Sequence, residues 1–301
     1  MSGRRESLPG RPRLDVGRGH EPHEPAFTPA TPRAPLPTSS AGLPALPPAY
    51  HATLDRGLAD LRLSLSESQR WAMGGYVQLL LAWTAAINLT AIRDPEAVAR
   101  EHILDSLAAV SLLEAAGLDE LVDLGSGGGA PGIPIAIAIP RARMLLVESV
   151  AKKARFLETA VAALGLGDRV RVAAERAETL AFPGRERERA NGVLVRAVAG
   201  LGELVELAFP LLVVGGSLVA WKREPLANEL AEAEPAIAAL HGTPPEIHEV
   251  PVDGLADHRL IVIRKTGATP ARYPRPPSER RSVAIGSGTA TRRRSSGPAG
   301  R

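Results

Sequence analysis

The stretch LVDLGSGGGAPGIPIAIAIP, residues 121–140, decides how the chain is read. An apolar run carrying one acid, Asp123, reaches a turn at Leu124, and Gly125, Gly127 and Gly129 follow at every second position. The sequence then becomes apolar again. Glycines at that density between a strand and a helix let a ligand touch backbone. In an open parallel sheet the first strand-to-helix turn is the floor of the ligand crevice.

The runs on either side fit such a sheet. Downstream come RMLLVES and KKARFLETAVAALG, RVRVAA, GVLVRA and LGELVELAFPLL, then GSLVAWK and EPLANELAEAEPAIAAL. Short apolar runs alternating with helical patterns predict an α/β fold with a mostly parallel, doubly wound sheet. The last two runs, EIHEVPV and HRLIVIRK, have only DGLAD between them and should pair antiparallel. Upstream, from Leu54 to about Ala116, the apolar spacing is helical, with Asp94 and Pro95 as N-cap and first turn and Gly117 as a stop. The expected organisation is a disordered Pro/Arg-rich extension over 1–46, a helical lead-in over 47–117, a ligand-binding α/β domain over 118–265 and a flexible basic tail over 266–301.

Charge and composition narrow the function classes. Residues 47–263 carry 20 basic and 28 acidic side chains, whereas residues 264–301 carry ten Lys or Arg and the single acid Glu279. A polyanionic partner must therefore meet a local patch or the tails, because the average field of the compact part repels it. No apolar run reaches the roughly 18–20 residues of a membrane span, and the N-terminus lacks the apolar core of a signal peptide. The chain reads as soluble, cytoplasmic and monomeric. There is no cysteine, so disulfides, thiolate metal sites and cysteine nucleophiles are excluded together. A lone His102 without a second ligand at suitable spacing gives no metal site.

Two familiar glycine-loop chemistries fit poorly. A nucleoside triphosphate loop needs Gly, Lys and Ser or Thr at its end, where this chain has Ala130, Pro131 and Gly132. A dinucleotide fold is served by Glu148, 19 residues past Gly129 and suited to a ribose, but it has an apolar residue where Asp123 stands. An acid at Asp123 suits the charged amino end of a small ligand. The pattern D-x-G-x-G-x-G, with an acid at the tip of the next strand, resembles the class I methyltransferases that use S-adenosylmethionine and have a Rossmann-like sheet.

Four further stretches sharpen the match. NLTAIRDPEAVAREHILDSL, VDLGSGGGAPGIPIAI, VESVAKKARFL, and RAE ahead of VLVRAVA resemble, in this order, the bacterial small-subunit ribosomal RNA methyltransferase G family, also called glucose-inhibited division protein B. The resemblance covers roughly Asp60 to Tyr273. It implies methyl transfer from S-adenosylmethionine to N7 of one guanine in the 530-loop of 16S ribosomal RNA, with the RNA or the small ribosomal subunit as partner. Carried over by position, it implies cofactor contacts at Gly125, Ala130, Ala177, Glu178 and Arg196, to which the reading of the loop adds Asp123, Gly127 and Glu148. The family often has a bulkier apolar residue where Ala130 stands, and its usual C-terminal pattern matches here only at Tyr273, Pro274 and Arg275. A non-catalytic assembly factor and a Rossmann-type oxidoreductase are the competing readings.

No catalytic dyad is visible, and none is required, because guanine N7 has a lone pair and no proton at neutral pH. Arg196, His102 and Asn88 are the candidates for organising the reaction. Arg196 ends an apolar strand on the ligand side, where an ion pair with Asp123 or Glu178 is the structural alternative to a functional role. Asn88, Arg93, His102 and Asp105 suit either a polar cluster locking the helical lobe or a wall of the cleft. Lys152, Lys153 and Arg155 suit a solvated face or RNA phosphates at the rim.

Overall fold

The structure, a computed structural model, describes residues 35–196, 199–282 and 285. The helical lead-in begins with α1 (Pro48–Asp60) and α2 (Glu67–Ile87). Ser66 caps α2 through a reciprocal box, its hydroxyl accepting from Gln69 N at 3.2 Å while Gln69 Oε1 accepts from Ser66 N at 2.8 Å. Asn88 ends the helix in the left-handed region at φ 53°, which asparagine tolerates better than most residues. Met73, Tyr76, Val77, Leu80, Trp83 and Thr84 form the buried stripe of α2 at helical spacing.

The next helical stretch is interrupted. α3 (Pro95–Val98), capped by Asp94 on Ala97 N, runs into a π-helical turn at Ala99–Leu104, followed by α4 (Asp105–Leu107) and α5 (Val110–Ala115). Gly117, at φ 64°, stops the run before β1 (Glu120–Leu124). The alternating half follows as α6 (Gly132–Ala138), β2 (Arg143–Val147), α7 (Ala151–Ala163), β3 (Val170–Ala173), α8 (Ala177–Leu180), β4 (Ala190–Arg196), α9 (Leu201–Ala208), β5 (Leu212–Arg223), α10 (Ala227–Ala239), β6 (Glu246–Glu249), β7 (His258–Arg264) and α11 (Pro277–Ser282).

The seven strands form one sheet in the order β3-β2-β1-β4-β5-β7-β6. The first five are parallel; β7 pairs antiparallel with both β5 and β6. The expected hairpin pair is present, and its second strand is inserted beside β5. From β1 the chain winds outward one way through β2 and β3 and the other way through β4 and β5. The switch point, and with it the ligand crevice, lies between the carboxyl ends of β1 and β4. Helices cover both faces, giving two apolar cores; α2, α6 and α7 belong to one, α9 and α10 to the other. Gln69 ties α2 to α6 by donating to the carbonyls of Ile137 and Ala138 at 2.9 and 3.0 Å, which the end of α6 leaves without helical partners.

Two expected boundaries need correction. Residues 36–46, placed in the disordered extension, hold fixed contacts: Leu36, Leu43 and Leu46 pack on the core, and Trp83 and Gln78 donate to the carbonyls of Pro37 and Pro44, each at 2.8 Å. Proline lacks an N–H for regular structure, yet its carbonyl accepts as well as any other. Residues 266–282, placed in a flexible basic tail, are likewise bound. Thr269 donates from its backbone N–H to Glu188 at 2.9 Å and from its hydroxyl to the carbonyl of Phe209 at 3.0 Å. Arg187 holds the carbonyls of Thr269 and Tyr273, Arg275 grips the buried Glu206, and Arg280 pairs with Glu178 and Glu203. A run of arginines resembles a solvated tail only until the acids opposite are known. Residues 1–34, 283–284 and 286–301 of these segments lie outside the described residues.

Candidate functional site

The spacing of the glycines after β1 follows from backbone conformation. Gly125, Gly127 and Gly129 all have positive φ, at 73°, 54° and 94°, where a side chain is strained. The loop is stitched to β2: Gly125 N and Ser126 N both donate to Val147 O, at 2.9 and 3.0 Å. Glu148 braces it from beneath, its two carboxylate oxygens accepting from Gly127 N at 3.0 Å and Val150 N at 2.7 Å. Tyr76 reaches over from α2 and donates to Gly128 O at 2.7 Å. A carboxylate offers about four acceptor sites, so Glu148 retains capacity for ribose hydroxyls.

Asp123 is 1% exposed in the middle of β1. Its Oδ2 accepts from Gly132 N at 3.1 Å, and a Cβ at Gly132 would lie 2.6 Å from that oxygen, so glycine is needed for the approach. Oδ1 has no hydrogen-bond partner among the described residues. A buried orphan acceptor is costly and marks a place for a donor such as an ammonium or a bound water.

Burial raises the Asp123 carboxyl to about 6 from 3.8, and the Gly132 amide opposes that rise. Below pH 4 the group is protonated in folded and unfolded chains alike. Between pH 4 and 6 the folded chain keeps a proton that the unfolded chain releases, so stability falls as pH rises, by about 3 kcal/mol in all. Asp123→Asn is therefore expected to melt above the parent at pH 7 and close to it at pH 4, while binding cofactor more weakly at pH 7. Equal melting temperatures at pH 7 would show that the carboxylate is not strained by burial. His102 works in the opposite sense, because burial and the Arg196 cation lower it to about 4; its contribution cancels between these two proteins.

Two cavities open on the crevice. The smaller, about 220 Å³, lies on the glycine loop and is bordered by Gly125, Gly127, Ala130, Tyr76 and Leu89. The larger, about 560 Å³, is bordered by Asp105, Trp221, Lys222, Arg223 and His258. Both are also bordered by His102 and Arg196, which form the partition between them.

That partition is a continuous network. Arg196 Nη1 donates to Glu101 O at 2.9 Å and Asp105 Oδ2 at 3.3 Å, while Nη2 donates to His102 Nδ1 at 2.7 Å. Arginine only donates, so His102 Nδ1 accepts and Nε2–H donates to Thr90 Oγ1 at 2.7 Å. Asp105 Oδ1 accepts from His258 Nδ1 at 2.8 Å, and Trp221 Nε1 donates to the Asp105 carbonyl at 2.8 Å. The π-helical turn places Glu101, His102 and the start of α4 on one wall, in keeping with the frequency of such turns at functional sites.

Of the residues singled out from the sequence, Gly125, Gly127, Ala130, His102 and Arg196 meet at the smaller cavity. Asp123 and Glu148 hold the loop through its backbone. Ala177 and Glu178 open α8 and do not border that cavity; the Glu178 carboxylate is committed to Arg280. Arg196 is ion-paired with Asp105, neither of the acids Asp123 and Glu178 weighed from the sequence. Asn88 is exposed as the terminator of α2, one residue before Leu89 reaches the cavity. Tyr76, Thr90, Trp221 and His258 were not singled out. Tyr76, Trp221 and His258 lie in apolar runs that read as core, and nothing in their local pattern separates them from packing.

The family model described as rRNA small subunit methyltransferase G (GidB) matches residues 69–254. Curated relatives named ribosomal RNA small subunit methyltransferase G include that of Chloroflexus aggregans, 41% identical over 213 residues, covering 71% of this chain and 89% of the relative. That of Rubrobacter xylanophilus is 43% identical over 203 residues, covering 65% and 77%, and that of Roseiflexus sp. is 41% identical over 216 residues, covering 71% and 90%. The matched span runs from the first turn of α2 to the loop before β7 and takes in every residue bordering the two cavities except His258. The chain belongs to the rRNA small subunit methyltransferase G family.

Proposed function

We propose that the chain transfers a methyl group from S-adenosylmethionine to N7 of a guanine in the 530-loop of 16S ribosomal RNA. The observation that carries this reading is the pair of cavities sharing His102 and Arg196. One is walled by glycine backbone; the other is the larger space, and methyl transfer needs donor and acceptor in adjoining spaces.

The residues present fit the cofactor. The loop glycines leave room for close approach, and Asp123 and Glu148, which hold that loop without bordering the cavity, keep an unpartnered oxygen and spare acceptor capacity that suit an ammonium and ribose hydroxyls. When bound, S-adenosylmethionine supplies a methyl group on a sulfonium, whose C–S bonding pair stays on sulfur as the N7 lone pair forms the new bond. No protein group has to remove a proton. His102 is held neutral, and Arg196 has its charge matched by Asp105, so the partition adds little net charge where positive charge moves across. Its task is position. The networked side chains fix the distance between the two spaces.

Arg223, which borders the larger cavity, and Arg93, next in sequence to its lining residue Ile92, are exposed, and neither forms an ion pair among the described residues; both suit RNA phosphates. No helix among the described residues is long and apolar enough to cross a membrane. We take the acting form to be a single chain in the cytoplasm, where small ribosomal subunits are.

The test is transfer from labelled S-adenosylmethionine to small subunits and to naked 16S ribosomal RNA, both lacking the modification, followed by nucleoside analysis. Label in 7-methylguanosine at a single site is the expected result. Label absent despite measured cofactor binding would reject this acceptor.

A further inference from the structure

The larger cavity has no use assigned by the cofactor side, and its floor is unusual. At about 560 Å³ it falls within the roughly 300–1,000 Å³ typical of pockets for drug-sized ligands. On one side stands the His102–Arg196 partition, on another the tips of β5 and β7, where His258 lies opposite Arg223 in the register. His258 is 6% exposed and held by Asp105, so its ring cannot swing.

Resting on the reaction proposed above, we propose that this cavity receives the target guanine turned out of the RNA, and that His258, aimed by Asp105, accepts a hydrogen bond from the N1–H of that base. Enzymes that modify a base inside structured nucleic acid extrude it into such a pocket and read its Watson–Crick edge. The tautomer follows from the network. Asp105 only accepts, so the proton of His258 sits on Nδ1, and Nε2 is left as the acceptor. The nearest other carboxylate, Asp257, stands 3.9 Å from Nε2 and is largely exposed.

The placement has a kinetic consequence. Methylation at N7 makes the purine cationic, which strengthens N1–H as a donor. A bond from N1–H to His258 is thus stronger in the transition state than in the bound ground state, and it lowers the barrier to chemistry more than it tightens binding. Adenine offers an acceptor at N1 and would face Nε2 with two lone pairs opposed. His258 would then serve selectivity as well as rate.

Location is tested first, in the wild-type full chain. RNA carrying 6-thioguanosine at the target position is irradiated with the protein and S-adenosylhomocysteine, and the crosslinked peptides are mapped. Crosslinks within residues 221–223 or 256–260 are expected; crosslinks confined to the α7 rim around Lys152 and Arg155 would overturn the placement. The role of His258 is tested with His258→Phe and His258→Gln, reading cofactor affinity by calorimetry and transfer to unmodified subunits. His258→Phe should lose about tenfold in kcat with cofactor Kd within twofold, and His258→Gln, which keeps an acceptor, should recover most of it. Full activity in His258→Phe, or equal loss in both variants, would overturn the role. A wild-type protein that labels no N7 defeats the reaction itself, and is told apart because it precedes any variant.

Discussion

Arg196→Ala is expected to lower turnover on ribosomal RNA about a hundredfold, the order of loss that a displacement near 1 Å at the reacting centre produces. The guanidinium makes three bonds at once, to Glu101 O, Asp105 and His102, and alanine makes none of them. His102 then loses the donor that fixes its tautomer, and Asp105, 2% exposed, keeps its carboxylate with one partner fewer. Breaking a buried ion pair from one side costs about 3–5 kcal/mol, and the surviving His258 bond places this case near the lower end. Lysine is no substitute, because a point charge cannot span three directions held by a planar fork. The measurements are single-turnover transfer, cofactor affinity and thermal melting on the same preparations. Turnover within a factor of three of the parent would mean that the partition is scaffolding without influence on the methyl path.

Arg275→Ala is expected to be destabilising by about 3–5 kcal/mol, although it lies outside the crevice. Glu206 is 1% exposed on α9, and Arg275 meets it through Nε at 2.9 Å, Nη2 at 2.7 Å and its own backbone N–H at 2.8 Å. Removing the side chain leaves a buried carboxylate with only the backbone donor of that set. A loss of this size lowers the melting temperature on the order of 10 °C for a domain of this length. Adding Glu206→Gln to Arg275→Ala should restore part of the loss, since it removes the uncompensated charge. A drop below 3 °C in the single variant would contradict the burial of this pair, and no recovery in the double variant would assign the loss to packing of the C-terminal segment.

The sheet and the loop were legible because their signals are local. Alternation of apolar runs with helical spacing, and glycines where φ must be positive, both act over a few residues, and β1, the loop and α6 stand where residues 121–140 placed them. The hairpin order was readable from a five-residue connection, whereas the insertion of β7 beside β5 was not, since nothing in HRLIVIRK names its second neighbour. The partition shows the same limit. Arg196, His102 and Asp105 were each suspected, but the pairing of Arg196 with Asp105 joins residues 91 positions apart and depends on the π-helical turn. The tail was misread for a related reason: Arg275 and Arg280 count as free charge until Glu206, Glu178 and Glu203 are placed opposite them.

The late insertion of β7 also sets an order of construction. During synthesis, a nascent chain that has emerged as far as β4 already contains the glycine loop, Glu148, Tyr76, His102 and Arg196, hence all the residues of the smaller cavity. It still lacks His258, and β5, once it is made, has an unpaired edge until β7 arrives. The larger cavity gains its last wall when one of the final strands slips between β5 and β6. A truncated chain stopping before residue 258 would therefore display an open sheet edge beside a nearly complete loop, a species more prone to association than the finished protein. The larger cavity, and the protection of the sheet, are completed in the same event.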